Sequence, residues 1–153
     1  VNFINALGNV DKISVKNSLS DALDIDFSNL KIKNINISKA KNDCVDLSGG
    51  KYQFDEIDLA KCGDKGVSIG EKSHVILDNV KIIDTNIGIA TKDSSMAKLN
   101  SLDLKNLKTC ISAYNKKQEF SGAMLKVNNI KCENFKKKID ADKYSKIIIK
   151  NEL

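Results

Sequence analysis

Asp24 and Asp46 are 22 residues apart, in the alternating stretches Leu23-Asp24-Ile25-Asp26 and Val45-Asp46-Leu47-Ser48. If the chain brings them side by side, their like charges raise one pKa, and the pair acquires acid and base roles. Neighbouring strands of a sheet stand about 4.8 Å apart, close to the roughly 5 Å between the carboxyl groups of retaining glycosidases. Lys92 falls at the matching place two copies beyond Ser48 and adds a cation. Asp24, Asp46 and Lys92 are therefore the candidate catalytic residues. Asp26, Glu71, Asp93, Tyr114, Lys116 and Lys117 are the candidate ligand contacts. The plainer reading is a solvated Asp/Ser surface relieved by Lys from neighbouring turns. Asp24, Asp26 and Asp46 also offer hard oxygens to calcium. No Asp-x-Asp-x-Asp-Gly loop exists, and "LSGGKYQFD" is only faintly similar to Gly-rich calcium repeats. No metal site and no cofactor beyond that calcium option are expected.

These residues can meet only if the chain repeats, and it does. Leu23, Val45, Val67, Ile89 and Ile111 follow one another at steps of 22. A second set runs Leu30-x-Ile32, Tyr52-x-Phe54, Val75-x-Leu77, Ala97-x-Leu99, Leu125-x-Val127 and Ile147-x-Ile149. A third runs Ile13-x-Val15, Ile35-x-Ile37, Ile57-x-Leu59, Val80-x-Ile82, Leu102-x-Leu104 and Ile130-x-Cys132. The interval slips by one residue at the third copy and lengthens by six in the fifth, where Asn115 to Gly122 reads as an inserted loop. Within each copy apolar residues alternate, the period of a strand. Three short strands in 22 residues leave no room for a helix. Stacking such coils in parallel predicts an all-β fold, a parallel β-helix of about six rungs forming one domain over residues 1–153.

Two residues separate the second and third strands: Lys33-Asn34, Asp55-Glu56, Asp78-Asn79, Asn100-Ser101 and Asn128-Asn129. A bend that short calls for one residue near the left-handed region, which Asn tolerates. Stacked Asn side chains can also bond from rung to rung. One rung buries about six or seven aliphatic side chains at roughly 1.5–3 kcal/mol each, against an ordering cost of roughly 1–2 kcal/mol per residue. A single rung therefore fails alone, and an Asp at Val67 or Ile89 should break the stack. Neither end carries an amphipathic capping helix, and the first residue is Val1 rather than Met. The expectation is a fragment of a longer chain, or ends that stack on another molecule.

Composition excludes several classes. All 25 cations are Lys, and the net charge is +5. Without Arg or clustered charge this is no nucleic-acid footprint. No apolar run reaches membrane-spanning length, and no signal peptide is present. Cys44, Cys62, Cys110 and Cys132 form no C-x-x-C pair, and His74 is the one imidazole, so zinc is not expected. At this density of cysteines the expectation is buried or half-buried free thiols. "GDKG" (Gly63 to Gly66) lacks phosphate-loop spacing and reads as a turn between rungs. "NFKKKIDADK" reads as a solvated Lys-rich turn. The insertion "AYNKKQEFSGA" brings Tyr114, Lys116, Lys117, Gln118 and Phe120 beside the first strand. There aromatic rings could stack on a sugar while Lys pairs with a carboxylate.

The order strand, variable turn, strand, two-residue bend, strand resembles the right-handed β-helix of the pectin-lyase-like superfamily over about residues 8 to 150. The resemblance implies a substrate groove on the outer face of the first strand. "SDALDIDFS", "GDKGVSIGEKS" and "IGIATKDSS" also look like segments of bacterial secreted or surface proteins, some beside spore-coat-kinase-like domains. That implies an accessory domain without assigned chemistry. The paired Asp, Gly-His-Gly and Arg-Ile-Lys motifs of polygalacturonase-like hydrolases are missing, and no Arg can serve as a lyase base. The functional expectation is a non-catalytic scaffold or binding domain, extracellular or at the cell surface. Its partner would be an extended acidic polysaccharide or other domains of the same chain. One alternative is a polysaccharide lyase, hydrolase or epimerase. Another is a structural solenoid assembling end to end.

Overall fold

The computed structural model describes residues 1–153. It contains eleven strands and no helix, so no helix is long and apolar enough to cross a membrane. The strands are β1 (Asn2–Ile4), β2 (Leu7–Ser18), β3 (Leu23–Asp26), β4 (Asn29–Ala40), β5 (Val45–Ser48), β6 (Lys51–Cys62), β7 (Lys65–Gly70), β8 (His74–Lys92), β9 (Met96–Tyr114), β10 (Met124–Ala141) and β11 (Lys146–Glu152). All pair in parallel. They wind into a parallel β-solenoid of about seven turns, one more than the repeat count suggests. The two six-copy repeat sets are offset by one coil, the third starting at Ile13 on β2 and the second ending at Ile149 on β11, so together they span seven. β1 pairs with β3 through Asn2↔Asp24 to Ile4↔Asp26.

The register follows the repeat. Leu23, Val45, Val67, Ile89, Ile111 and Ile139 stack in one column. Ile32, Phe54, Leu77 and Leu99 stack in another. Inward side chains join a single core of 34 buried residues. With no Pro in the chain, no residue lacks an N–H to give to the ladder.

The bends differ from expectation. The two-residue bends lie inside continuous strands: β4 runs through Lys33-Asn34 and β6 through Asp55-Glu56 without positive φ. Left-handed residues stand instead at the other two corners. After the third strand they are Asn17, Lys39, Lys61, Asp84, Asn106 and Asn134, with φ between 52° and 60°. After the first strand they include Phe27, Gly49, Glu71 and Asp93. The second-to-third bend needs no reversal of handedness, whereas the corner after the third strand turns through a left-handed residue while still lying inside a continuous strand, as at Asp84 within β8 and Asn106 within β9. The Asn ladder is real and doubled. Asn128 Nδ2 donates to Asn100 Oδ1 at 2.8 Å, and Asn79 Nδ2 to Glu56 Oε1 at 2.7 Å. At the left-handed corner Asn106 donates to Asp84 and Asn134 to Asn106, each at 2.8 Å.

A buried hydroxyl column closes the corner after the first strand. Ser28 Oγ accepts the Ala6 N–H at 2.9 Å and donates to the Asp26 carbonyl at 2.7 Å. Ser95 Oγ accepts the Ser73 N–H at 3.2 Å. Gly50 interrupts the column, and the Tyr52 phenol takes over by donating to the Ser48 carbonyl at 2.8 Å. A Cβ at Gly50 would run into that phenol and the Ser28 carbonyl. The Lys-rich segment "NFKKKIDADK" is strand rather than turn through Ala141, since β10 continues in register with β9 from Phe135↔Leu107 to Ala141↔Ala113. The inserted loop lies where expected, between β9 and β10.

The cysteines are not free thiols. Cys44 is bonded to Cys62 and Cys110 to Cys132, with Cα separations of 5.3 and 6.5 Å. Each pair is about one coil apart in sequence, 18 and 22 residues. Winding one turn brings the start of a first strand back to the end of a third strand. We therefore expect no thiol to react in denaturant before reduction and four to react afterwards. Replacing Cys44 and Cys62 together with Ser should cost about 3 kcal/mol in a denaturant melt. Four reactive thiols without reductant would refute the pairing.

Candidate functional site

The first-strand face is built by β3, β5, β7 and the ends of β8, β9 and β10. One outward column runs Asp24, Asp46, Ser68, Ala90, Ser112 and Asp140. The next begins Asp26, Ser48 and Gly70 and holds Lys92 paired with Tyr114. Asp24 and Asp46 are direct neighbours, as expected. Asn2 Nδ2 donates to Asp24 Oδ2 at 3.2 Å. Burial, then the charges of Asp26, Asp46 and Asp21, raises the Asp24 pKa. Burial, then Asp46 and Glu71, raises that of Asp26. No three of the chain's His, Cys, Asp and Glu side chains converge as a metal-holding group.

Other candidates are occupied by the fold itself. Asp93 is 2% exposed. Its carboxylate accepts the N–H groups of Lys116 and Lys117 at 2.7 and 2.9 Å, which anchors the inserted loop. Asn115 Nδ2 ties the same loop to the carbonyls of Lys117, Phe120 and Ser121. Lys117 forms an ion pair with Glu71. Lys72 lies 5.7 Å from the Phe120 ring centroid, a cation–π contact. Lys116 stays exposed and Tyr114 half-buried. Lys92 is nearly buried, and its ammonium lies over Gly70, where an added Cβ would stand 3.9 Å from Nζ. Burial lowers the Lys92 pKa, opposed by Asp46 and reinforced by Lys65 and Lys116.

Sequence reasoning missed two features. The first is Asp43, buried beside the first strand. Its Oδ1 accepts the Lys65 N–H at 3.0 Å, and its own N–H donates to Asp21 Oδ1 at 2.9 Å. Burial pushes its pKa up to about 6 against the pull of Lys65. Lys65 is raised overall: burial lowers it, but the hydrogen bond to Asp64 and the charges of Asp43 and Asp64 outweigh that. Lys65 Nζ is 3.6 Å from Asp43 and pairs more directly with Asp64. The ion pair proper is thus Lys65 with Asp64, which leaves Asp43 able to stay neutral. The signal was the Asp21, Asp43, Lys65 column at 22-residue steps.

The second is a groove of about 650 Å³ on the outer face of the second strands. It crosses six rungs, from Leu7 and Asn9 on β2 to Met124 and Lys126 on β10. Lys31, Lys51, Lys98 and Lys126 are its cations, His74 and Tyr52 are its other titratable groups, and no carboxylate lines it. Ile76 and Met96 add exposed apolar surface. The signal lay in the outward positions of the second repeat set, which carry Lys31, Gln53, Ile76, Lys98 and Lys126.

The fold and these two faces define a parallel β-solenoid repeat protein. No family model, no curated protein and no solved structure matches the chain.

Asp43 generates a pH prediction. Its folded pKa of about 6 lies above the ordinary 3.8. The stability it contributes is therefore fully present below pH 3.8 and lost as pH rises through about 6. The span amounts to about 3 kcal/mol. Relative to Asp43→Asn, the native chain should lose stability between pH 4 and 7 in parallel denaturant melts. Parallel pH profiles for the two would refute the assignment.

Proposed function

We propose that this chain is a non-catalytic binding module for an extended acidic polysaccharide, held along the second-strand groove. The observation that carries the reading is a groove crossing six rungs whose charged lining is entirely cationic. Lys98 and Lys126 are register neighbours, about 4.8 Å apart at the backbone, and Lys31 lies three rungs away, about 14 Å. Such a row suits a polymer whose carboxylates recur along its length, while the apolar faces of its sugar rings lie over Ile76 and Met96. Two disulfides fit an oxidising compartment and support an extracellular or cell-surface setting. Kinship with the pectin-lyase-like superfamily rests on the coil pattern alone, and neighbouring spore-coat-kinase-like domains have no support beyond it.

One observation favours a second reading, a polysaccharide lyase, hydrolase or epimerase. Asp24 and Asp46 are register neighbours and the Asp24 pKa is raised. A single assay separates the two. Polygalacturonate should bind saturably, weaken with salt, and lose about tenfold or more in affinity in Lys98→Glu/Lys126→Glu. Neutral glucan should not bind. Asp46→Asn should bind as the native chain does, with no cleavage by either. Cleavage that disappears in Asp46→Asn would overturn the binding-module reading.

A further inference from the structure

The second-strand face carries, besides its lysines, a column that an acidic polymer does not explain. The chain has one His and two Met. All three, His74, Met96 and Met124, line the groove. They stand in one column on three consecutive rungs, because His74 pairs with Met96 and Met96 with Met124. Each opens its strand, β8, β9 or β10, in the same way. The His74 N–H donates to the Gly50 carbonyl at 2.8 Å, that of Met96 to the Ser73 carbonyl at 2.9 Å, and that of Met124 to the Ser95 carbonyl at 3.0 Å. The residues that follow, Val75, Ala97 and Leu125, are buried. Strand alternation therefore turns His74, Met96 and Met124 outward from equivalent points of a rigid scaffold. His74 is exposed, Met124 half-buried and Met96 48% exposed, so the donor atoms are open to a solute.

The types of these side chains state which solute suits them. An imidazole nitrogen and two thioether sulfurs are a neutral, soft donor set. Thioethers select Cu(I) over harder ions, and imidazole also suits copper. The outer two residues are two rungs apart, about 9.6 Å at the backbone. An ion above Met96 is within reach of all three side chains, given bonds of roughly 2.0–2.3 Å to nitrogen and sulfur. Calcium and magnesium call for oxygen ligands, and no carboxylate lines the groove. Charge selects in the same direction. Lys51 precedes His74 in the column and Lys146 follows Met124. From the same lysines a divalent ion meets twice the repulsion that a monovalent one does. No thiolate competes, since all four cysteines are in disulfides.

We propose that His74, Met96 and Met124 form a surface site for one soft monovalent metal ion, Cu(I), held by the imidazole and the two thioethers. The ion is taken up and released as Cu(I), with no change of oxidation state. The site lies in the groove assigned to the polysaccharide, yet it rests on its own donors and stands if the polymer does not bind.

The test is anaerobic titration of the disulfide-intact full chain with Cu(I) against graded concentrations of a chromogenic chelator, ferrozine, without thiol reductant or polysaccharide. One Cu(I) should bind per chain. Ag(I), a redox-inert stand-in, should shift both methionine methyl signals and the His74 ring signals in NMR spectra and leave the alanine methyls in place. Met96→Leu and Met124→Leu keep the bulk and remove the sulfur. Each, like His74→Gln, should lose about tenfold or more in Cu(I) affinity, with the metal-free melting temperature unchanged. Zn(II) should bind about tenfold or more weakly than Cu(I). Absence of one-to-one Cu(I) binding, affinity undiminished in Met96→Leu, or Zn(II) bound as tightly as Cu(I) would each overturn the proposal. Because no polymer is present, none of these outcomes bears on the polysaccharide reading.

Discussion

Every feature of this chain depends on parallel, in-register stacking of one coil on the next. A residue's nearest neighbour in space is its equivalent one rung away, about 4.8 Å off. Inward, that rule joins aliphatic columns into a core that no single coil could maintain. At the corners it aligns Asn, Ser and Asp side chains so that each serves the rung beside it. Asn106 with Asp84, Ser28 with the Ala6 N–H, and Asp21 with the Asp43 N–H are three versions of one device. A polar group at a corner is expensive to leave unpaired, and stacking supplies its partner without extra chain.

The same constraint sets the chemistry of the outer faces. Any charge placed on an outward column meets whatever the next copy carries. Where copies agree, like charges accumulate, as at Asp24 and Asp46. Where they differ, local pairs form, as at Glu71 with Lys117. The basic groove on the second-strand face arises because successive copies place Lys in the outward columns and no copy places a carboxylate there. Function in a solenoid of this kind resides in the columns where the copies depart from one another, since the shared positions are occupied by folding.

Covalent closure adds a second layer. Each disulfide joins residues about one coil apart, so it locks a rung at the corner between its third strand and a first strand. Cys44 stands in the buried column that continues as Gly66, Gly88 and Cys110. A Cβ at Gly66 would press on the Gly88 carbonyl and Ile82, and one at Gly88 on the Cys110 carbonyl. Small side chains are required there, and where Cys takes the place the closeness becomes a bond.

The repeat determined the fold class, the strand positions, the core columns and the adjacency of Asp24 with Asp46, because a period of 22 with alternating apolar residues has few physical solutions. It also determined that Asn would ladder between rungs. Tertiary structure decided the rest. Cys44 and Cys62 meet only after the coil closes, and no local spacing announces that. Which corner turns through left-handed residues is decided by the winding of the coil, since Asn34 and Lys39 both lie inside β4 and Lys61 inside β6, yet only Lys39 and Lys61 adopt positive φ. Asp93 reads as an outward carboxylate in sequence, but the inserted loop folds back over it and takes both of its N–H partners from Lys116 and Lys117. Lys92 is one lysine among many until Gly70 beneath it and Tyr114 above it are placed. Burial and concavity are sums over neighbours from several rungs, and a linear pattern records the neighbours in a column but not the space left between columns.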